Sequence, residues 1–274
     1  PRGGTRRPRA ARRAAPFESV DSSGSPASPG WLLTSVRNLR LRRFVREGGW
    51  TVPYRDGVEM RVSDDPATDA GHWLAQRIRN AVRQRGHAFV AVSGGSSAPP
   101  MFDAVLAEDV PWDAVTIWQV DERAAPDGHP ARNAAQLADL PGRIELMPVT
   151  DDDLAAGAAR YAAGLPDVFD VVHLGLGDDG HTASWPPAHP VVDSELACEA
   201  IGEFNGFERM TLTPAVVNAA RARLMLTYGS AKAPVVRAWV LGDASLPVAR
   251  VRRTDTWVML DPDAAADLPG PSAR

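Results

Sequence analysis

The stretch FDVVHLGLGDDGHTAS, at residues 169–184, joins an apolar run to a polar, glycine-rich loop. The run covers residues 169–174 and is short and mostly apolar, with Asp170 and His173 as its polar members, which is typical of a strand buried on both faces of a sheet. Charged and hydroxyl side chains follow the strand directly. Such a unit is typical of α/β proteins, in which polar loops follow the carboxyl ends of buried parallel strands.

Further strands of this kind alternate with helical segments from about residue 57 onward. The predicted strands cover residues 58–62, 88–92, 115–120, 144–148, 169–174, 223–228 and 256–260. The predicted helices cover residues 67–85, 99–106, 152–165, 214–220 and 231–241. This alternation predicts an α/β fold with a doubly wound, mainly parallel, Rossmann-like sheet. Residues 51–274 contain no clear internal linker, so we expect them to form a single domain.

The first fifty residues differ from the rest in composition. They contain eleven Arg against three acidic residues, and residues 1–30 hold few large apolar side chains. Such a segment buries too little apolar surface to offset its chain entropy. We therefore expect residues 1–50 to be a basic, disordered extension, within which residues 31–50 could form a short basic helix.

Charge, hydropathy and cysteine content limit the classes of function. The net charge is −4, and acidic residues outnumber basic ones in residues 51–274, which argues against nucleic-acid binding. The sequence contains no apolar run near the ~18 residues that a membrane span needs. Cys198 is the only cysteine, and a lone thiol suits a reducing compartment. We expect a cytoplasmic protein, monomeric or a small homo-oligomer, with neither nucleic acid nor membrane as a partner.

Two polar segments follow the strands predicted at 88–92 and 115–120. In Ser93-Gly94-Gly95-Ser96-Ser97, glycines would let the backbone approach a ligand, and the next helix would present N–H groups to an anion. The alternative is a tight turn with a serine cap. In Asp121-Glu122-Arg123, three adjacent charges could form an internally paired loop or a ligand clamp, with Arg123 suited to phosphate or carboxylate.

The loop at residues 175–184 contains the strongest catalytic signal. His181 lies close to Asp179 after a strand end, and a carboxylate that fixes the tautomer of an imidazole is typical of a general base. A histidine that is merely hydrogen-bonded in a turn is the alternative. The spacing of His173, His181 and His189 matches no common zinc pattern, so we predict no metal site.

Arg209 and Lys232 are the candidate counter-charges for a phosphate. Lys232 is the only lysine among thirty basic residues, and it opens a predicted helix, where a positive charge gains nothing from the helix dipole. A bound anion would explain that position, whereas a solvated surface lysine is the alternative. The sequence has no Gly-x-Ser-x-Gly nucleophile elbow, and Cys198 has no evident histidine partner, so attack by an activated water is favoured.

Five segments, in this order, resemble signatures of the family of 6-phosphogluconolactonases and glucosamine-6-phosphate deaminases. They are Ser-Gly-Gly-Ser-Ser, Asp-Glu-Arg with the later Pro, His and Asn, Gly-x-Gly-x-Asp-Gly-His-Thr-Ala-Ser, Arg-x-Thr-Leu-Thr and Gly-x-x-Lys-Ala. The lactonase branch is the more similar, because the deaminases typically continue Asp-Gly-His with Ile-Ala-Phe-Asn-Glu. Here residues 182–186 are Thr-Ala-Ser-Trp-Pro, without that acid.

The resemblance implies hydrolysis of a phosphorylated sugar lactone without metal or cofactor. It implies that His181 is the base that deprotonates water and that Asp179 supports it. The substrate and phosphate site implied by the resemblance consists of Gly94, Gly95, Ser96, Asp121, Arg123, Arg209 and Lys232. Two departures from the family, Trp185-Pro186 and the segment at 204–207, suggest a different pocket edge. A phosphosugar isomerase/deaminase and a non-catalytic sugar-phosphate sensor remain the alternative functions.

Overall fold

The computed structural model describes residues 44–46, 49–53 and 57–268. Residues 1–43 of the extension predicted for residues 1–50 therefore lie outside the described residues. The short basic helix considered for residues 31–50 is wrong where it can be checked. Phe44–Arg46 (β1) and Gly49–Pro53 (β2) are strands that pair with each other in antiparallel fashion.

The described residues form a central sheet of nine strands, and the seven that lie in its main body are parallel. The remaining members are β3 (Val58–Ser63), β4 (Ala88–Val92), β5 (Val115–Gln119), β7 (Arg143–Glu145), β8 (Val171–Leu174), β11 (Ala222–Thr227) and β12 (Thr256–Leu260). The order of the nine strands is β1-β2-β3-β12-β11-β8-β4-β5-β7, in which β1 and β2 form the antiparallel edge. All seven predicted strands are therefore present.

Helices cover both faces of this sheet, which confirms the doubly wound α/β fold. The helices are α1 (Pro66–Arg85), α2 (Ala98–Leu106), α3 (Ala134–Leu137), α4 (Leu154–Ala163), α5 (Pro214–Ala219) and α6 (Ala233–Leu241). Helices α1 and α2 contribute to one apolar core, and α4, α5 and α6 contribute to the other. Burial of these two apolar surfaces against the sheet is the main source of stability.

A second, antiparallel sheet was not predicted. It contains β6 (Asp121–Arg123), β9 (Cys198–Phe204) and β10 (Phe207–Leu212), in the order β6-β10-β9. The turn between β9 and β10 is Asn205-Gly206, and both residues have positive φ, 53° and 82°. Asn-Gly is the typical two-residue hairpin turn, so the sequence did contain a signal for this hairpin.

The direction in which the chain crosses the sheet reverses between β4 and β8. After β4 the chain continues outward to β5 and β7, and it then returns to the other side of β4 for β8, β11 and β12. Strands β4 and β8 are direct neighbours, with Val92 opposite His173. In open parallel sheets, ligands bind beyond the carboxyl ends of the strands at such a reversal.

Candidate active site

A cleft of ≈ 230 Å³ opens at this reversal. Its walls come from the loops after β4, β8 and β11 and from the small antiparallel sheet. Eight of the nine residues predicted for the site line the cleft, namely Gly94, Gly95, Ser96, Asp121, Arg123, His181, Arg209 and Lys232. The ninth, Asp179, contacts the cleft through His181.

His181 and Asp179 form a hydrogen-bonded pair. The His181 Nδ1 atom lies 2.5 Å from Asp179 Oδ1, which also accepts the backbone N–H of His181 at 3.1 Å. Partial burial alone would raise the pKa of Asp179, but these hydrogen bonds outweigh it and lower that pKa below its usual value. When Nδ1 donates its proton to the carboxylate, Nε2 is left as the proton acceptor.

The loop that holds this pair depends on Gly177. A Cβ atom at this position would lie 2.0 Å from His181 Nδ1 and 2.7 Å from Asp179 Oδ1, so no side chain fits. The Gly177 N–H donates to the His181 carbonyl at 2.8 Å, and the Thr182 hydroxyl donates to the Gly175 carbonyl at 2.7 Å. The glycine-rich motif therefore places the imidazole by close backbone approach.

Phe204, the last residue of β9, contacts two members of the predicted site. Its ring lies edge-on to the His181 imidazole, with centroids 5.1 Å apart and planes at 84°. The guanidinium carbon of Arg209 lies 5.3 Å from the centre of the same ring, and the Phe204 carbonyl accepts Arg209 Nε–H at 2.9 Å. The sequence indicates the segment at 204–207 only as a departure at the pocket edge, because the contacts of Phe204 depend on the β9–β10 hairpin.

The charged triplet forms strand β6, and its side chains lie in two different surroundings. Asp121 and Arg123 line the cleft, whereas Glu122 is fully buried. The Glu122 carboxylate accepts hydrogen bonds at 2.7–2.8 Å from the backbone N–H groups of Arg123, Asn133 and Ala134 and from the Gln119 amide. Both interpretations of the triplet thus hold in part, because alternate side chains of a strand face opposite ways.

Asn133 links this segment to the loop after β4. Its side-chain oxygen accepts a hydrogen bond from Arg123 Nη1 at 2.6 Å, and its amide donates to the Asp121 carbonyl at 2.9 Å. A Cβ atom at Gly94 would lie 2.2 Å from Asn133 Oδ1, so Gly94 is required for this packing. The motif Asp-Glu-Arg with a later Asn contained the signal for Asn133, which nonetheless was not assigned to the site.

Two arginines lie side by side across the small sheet. Arg209 on β10 is the register partner of Arg123 on β6. Burial lowers the pKa of Arg209, and the positive charge of Arg123 lowers it further, whereas Asp121 at 3.9 Å opposes the shift. Like charges held this close destabilise each other unless an anion lies between or beside them. This pair therefore favours an anion in the cleft.

Asp121 is buried between a hydroxyl and the arginines. The Ser184 hydroxyl donates to Asp121 Oδ2 at 2.7 Å, and Arg209 Nη1 lies 3.5 Å from the same hydroxyl. Burial raises the pKa of Asp121, although Ser184 and the two guanidinium groups lower it in part. Asp121 thus helps to orient Arg209 at the cleft wall.

Two backbone groups of the loop after β4 form hydrogen bonds within the protein. The Gly95 N–H donates to the Gln136 side-chain oxygen at 3.0 Å. The side chain of Ser96 is exposed, and its carbonyl accepts the Tyr228 hydroxyl at 3.1 Å. Tyr228 follows β11 directly, so this bond ties the loops of β4 and β11 together at the cleft.

Lys232 forms an ion pair with Asp178, a contact that no sequence motif indicates. It ends the 3-10 helix Ser230–Lys232 and precedes α6, and its Nζ lies 2.5 Å from Asp178 Oδ1. The two side chains are 24% and 67% exposed, so the ion pair lies at the mouth of the cleft. Asp178 belongs to the same loop as Asp179 and His181.

Several other residues singled out in the sequence lie away from the cleft. Trp185 is fully buried and donates its indole N–H to the Leu212 carbonyl at 2.8 Å, so the departure at Trp185 falls in the core and not at the pocket edge. His173 is buried within β8, and His189 caps the 3-10 helix Pro190–Asp193. Burial raises the pKa of Cys198 to about 12. The described residues contain no group of three or more side chains placed to hold a metal ion.

The sequence matches the family described as glucosamine-6-phosphate isomerases/6-phosphogluconolactonase over residues 62–260. The chain belongs to this family. It is 31% identical over 181 residues to the 6-phosphogluconolactonase of Nostoc sp., covering 60% of this chain and 75% of the relative. It is 32% identical over 230 residues to the 6-phosphogluconolactonase of Streptomyces coelicolor, covering 72% and 88%.

A solved structure has the same fold. The crystal structure of a 6-phosphogluconolactonase from Shewanella baltica superposes with a TM-score of 0.68 at 24% identity, covering 76% of this chain and 98% of that protein. The family resemblance and the α/β fold class predicted from the sequence are therefore confirmed. No helix among the described residues is long and apolar enough to cross a bilayer.

Proposed function

We propose that this protein hydrolyses 6-phospho-D-glucono-1,5-lactone to 6-phosphogluconate, a step of the oxidative pentose phosphate pathway. The observation that carries the proposal is the His181–Asp179 pair beside a cleft that also contains Arg123, Arg209 and Lys232. A base and three cations suit a substrate that has an electrophilic carbonyl at one end and a phosphate at the other. The names of the curated relatives support the same activity.

In the proposed mechanism, His181 Nε2 accepts a proton from a water molecule, whose oxygen attacks the lactone carbonyl carbon. The carbonyl oxygen becomes the oxyanion of a tetrahedral intermediate. Collapse of this intermediate breaks the bond to the ring oxygen, which takes the proton from His181 and leaves as a hydroxyl group. Asp179, whose pKa is lowered, remains ionised and stabilises the imidazolium formed in the first step.

The oxyanion requires a hydrogen-bond donor within the cleft. Two glycine-rich loops of the cleft offer backbone N–H groups for this role, at residues 94–95 and 177–180, and the N–H groups of Gly95, Gly177 and Gly180 already donate to Gln136, His181 and Gly177. We assign the oxyanion to the backbone N–H of Gly94, which follows β4 and lines the cleft. A preorganised backbone donor of this kind is typically a large term in acyl-transfer catalysis.

The phosphate would lie against the three cations. Arg209 is oriented by Phe204 and Ser184, and Arg123 by Asn133, so both guanidinium groups are held before substrate arrives. The exposed Ser96 hydroxyl adds a further donor. Side chains that are already held in place lose less conformational entropy when the substrate binds. The cytoplasmic location and the monomeric or small homo-oligomeric state remain predictions.

The test is hydrolysis of freshly generated 6-phosphogluconolactone, followed above its spontaneous rate in the presence of EDTA. We expect acceleration by the wild type and loss of kcat in His181→Ala, with His72→Ala on α1 as the matched control. We expect Lys232→Ala to raise KM, with exposed Arg237→Ala on α6 as its control. Equal, small effects of the His181 and Lys232 changes would contradict these roles.

Turnover and binding assays on the same purified protein distinguish the alternative functions. Turnover of glucosamine 6-phosphate in place of the lactone would indicate the deaminase activity of the other branch of the family. Phosphosugar binding by well-folded protein without turnover of either compound would indicate a sensor. Inhibition of lactone hydrolysis by EDTA would contradict the metal-free mechanism.

A further inference from the structure

The ion pair between Lys232 and Asp178 is not required by the mechanism proposed above. Lys232 is the only lysine of the chain, and its Nζ lies 2.5 Å from Asp178 Oδ1. Asp178 is 67% exposed, and an exposed ion pair adds little to the stability of a fold. The pair therefore needs an explanation other than folding.

The position of Lys232 provides one. The residue precedes α6, where its positive charge faces the positive end of the helix dipole. A carboxylate beside it offsets that unfavourable interaction when the cleft holds no anion. A phosphate that contacts Lys232 must share the ammonium with the Asp178 carboxylate, and the two negative groups then lie near each other. The same aspartate thus favours the free protein and disfavours the complex with a phosphate.

We propose that Asp178 competes with the substrate phosphate for Lys232 and thereby weakens the binding of phosphorylated ligands. This inference rests on the phosphate site of the proposed function. Asp178 weakens the binding of every ligand that offers only a phosphate, including inorganic phosphate. A lactone also contacts the other end of the cleft, so it retains enough affinity to bind. The carboxylate likewise speeds release of the phosphorylated product.

Replacement of Asp178 by Asn removes the competing charge and keeps the size of the side chain. We expect Asp178→Asn to tighten binding of inorganic phosphate and of 6-phosphogluconate by about three- to tenfold, the size of one partly screened charge interaction. KM for the lactone should fall with them, and kcat should change less than KM. Asp178→Glu, which keeps the charge, should resemble the wild type.

Two controls separate this effect from a general change of charge. Asp152→Asn removes an exposed carboxylate that does not line the cleft and should leave phosphate affinity unchanged. In a Lys232→Met background, Asp178→Asn should have no more than a small effect, because the two changes act through one interaction. Thermal unfolding of each variant checks that the fold is intact.

Isothermal titration calorimetry with inorganic phosphate and 6-phosphogluconate measures the effect without turnover. Tighter binding in Asp178→Asn that disappears in the Lys232→Met background supports the competition, even if the protein hydrolyses no lactone. Unchanged or weaker binding in Asp178→Asn overturns the inference, even if lactone hydrolysis is confirmed. An equal gain in both backgrounds also overturns it, because the carboxylate would then act on the phosphate without Lys232.

Discussion

Replacing Glu122 by Gln should destabilise the protein strongly, although the two side chains have nearly the same shape. Each carboxylate oxygen of Glu122 accepts two hydrogen bonds, one oxygen from the backbone N–H groups of Arg123 and Asn133, and the other from Ala134 and the Gln119 amide. An amide NH2 cannot accept a hydrogen bond. Whichever way the new amide lies, two buried donors lose their acceptor.

That count gives the lower limit of the effect, because the buried Arg132, whose Nε lies 3.2 Å from Glu122 Oε2, also loses a charged partner. A buried donor left without a partner costs about 1–3 kcal/mol, so the variant should lose about 2–6 kcal/mol of unfolding free energy. In a domain of this size, such a loss lowers the melting temperature by about 4 °C or more. Urea and thermal unfolding measure both quantities, and Glu208→Gln, an exposed position on β10, is the matched control. A shift no larger than that of the control would refute the assignment of Glu122 as the anchor of this segment.

Three further predictions test the loop, the thiol and the buried histidine. Gly177→Ala should lower kcat roughly 100-fold in steady-state kinetics, because the new Cβ displaces His181 by about 1 Å or more. Cys198, whose pKa burial raises to about 12, should react with a thiol reagent at pH 8 only after denaturation. Burial lowers the pKa of His173 to about 4, against about 6.5 when unfolded, so the unfolded chain takes up the proton first. Stability should therefore fall by at most about 3 kcal/mol as pH drops from 6.5 to 4, and urea unfolding of His173→Leu should not show that fall.

The parallel sheet and its helices could be predicted because each element carries its own periodic signal. Short apolar runs such as 88–92, which turn residues follow, favour a strand buried on both faces, and the longest helix repeats its apolar residues at helical spacing. Where the predicted end of an element differs from the observed end, the cause is local. The predicted strand at 144–148 ends at Glu145, because the Met147 N–H donates to the Gln119 side chain and not to a neighbouring strand.

The small antiparallel sheet was missed for a different reason. Strand β6 is three charged residues long, and its pairing with β10 joins parts of the chain far apart in sequence. Neither periodicity nor composition encodes such a pairing. The Asn205-Gly206 turn did indicate a hairpin, but it lies in a segment that was considered only as a departure from the family pattern.

The arrangement of the site follows from the way these two sheets meet. The parallel sheet contributes the loop of His181 and the glycines after β4, whereas the antiparallel sheet contributes Asp121, Arg123, Arg209 and the ring of Phe204. Sequence motifs identified the residues on both sides, because each motif is local. The contacts across the junction, Phe204 with His181 and Ser184 with Asp121, depend on tertiary packing.

The three cations of the cleft differ in the groups that hold them. Arg209 lies near Asp121, Lys232 contacts Asp178, and Arg123 is held by the neutral oxygen of Asn133. Two of the three cations thus have a carboxylate partner, whereas the acceptors of Arg123 among the described residues are the Ala131 carbonyl and the Asn133 amide oxygen. Arg123 is also the cation whose charge disfavours Arg209. An arriving phosphate therefore gains most at the Arg123–Arg209 pair, where it relieves a repulsion, and least at Lys232, where it must first displace Asp178.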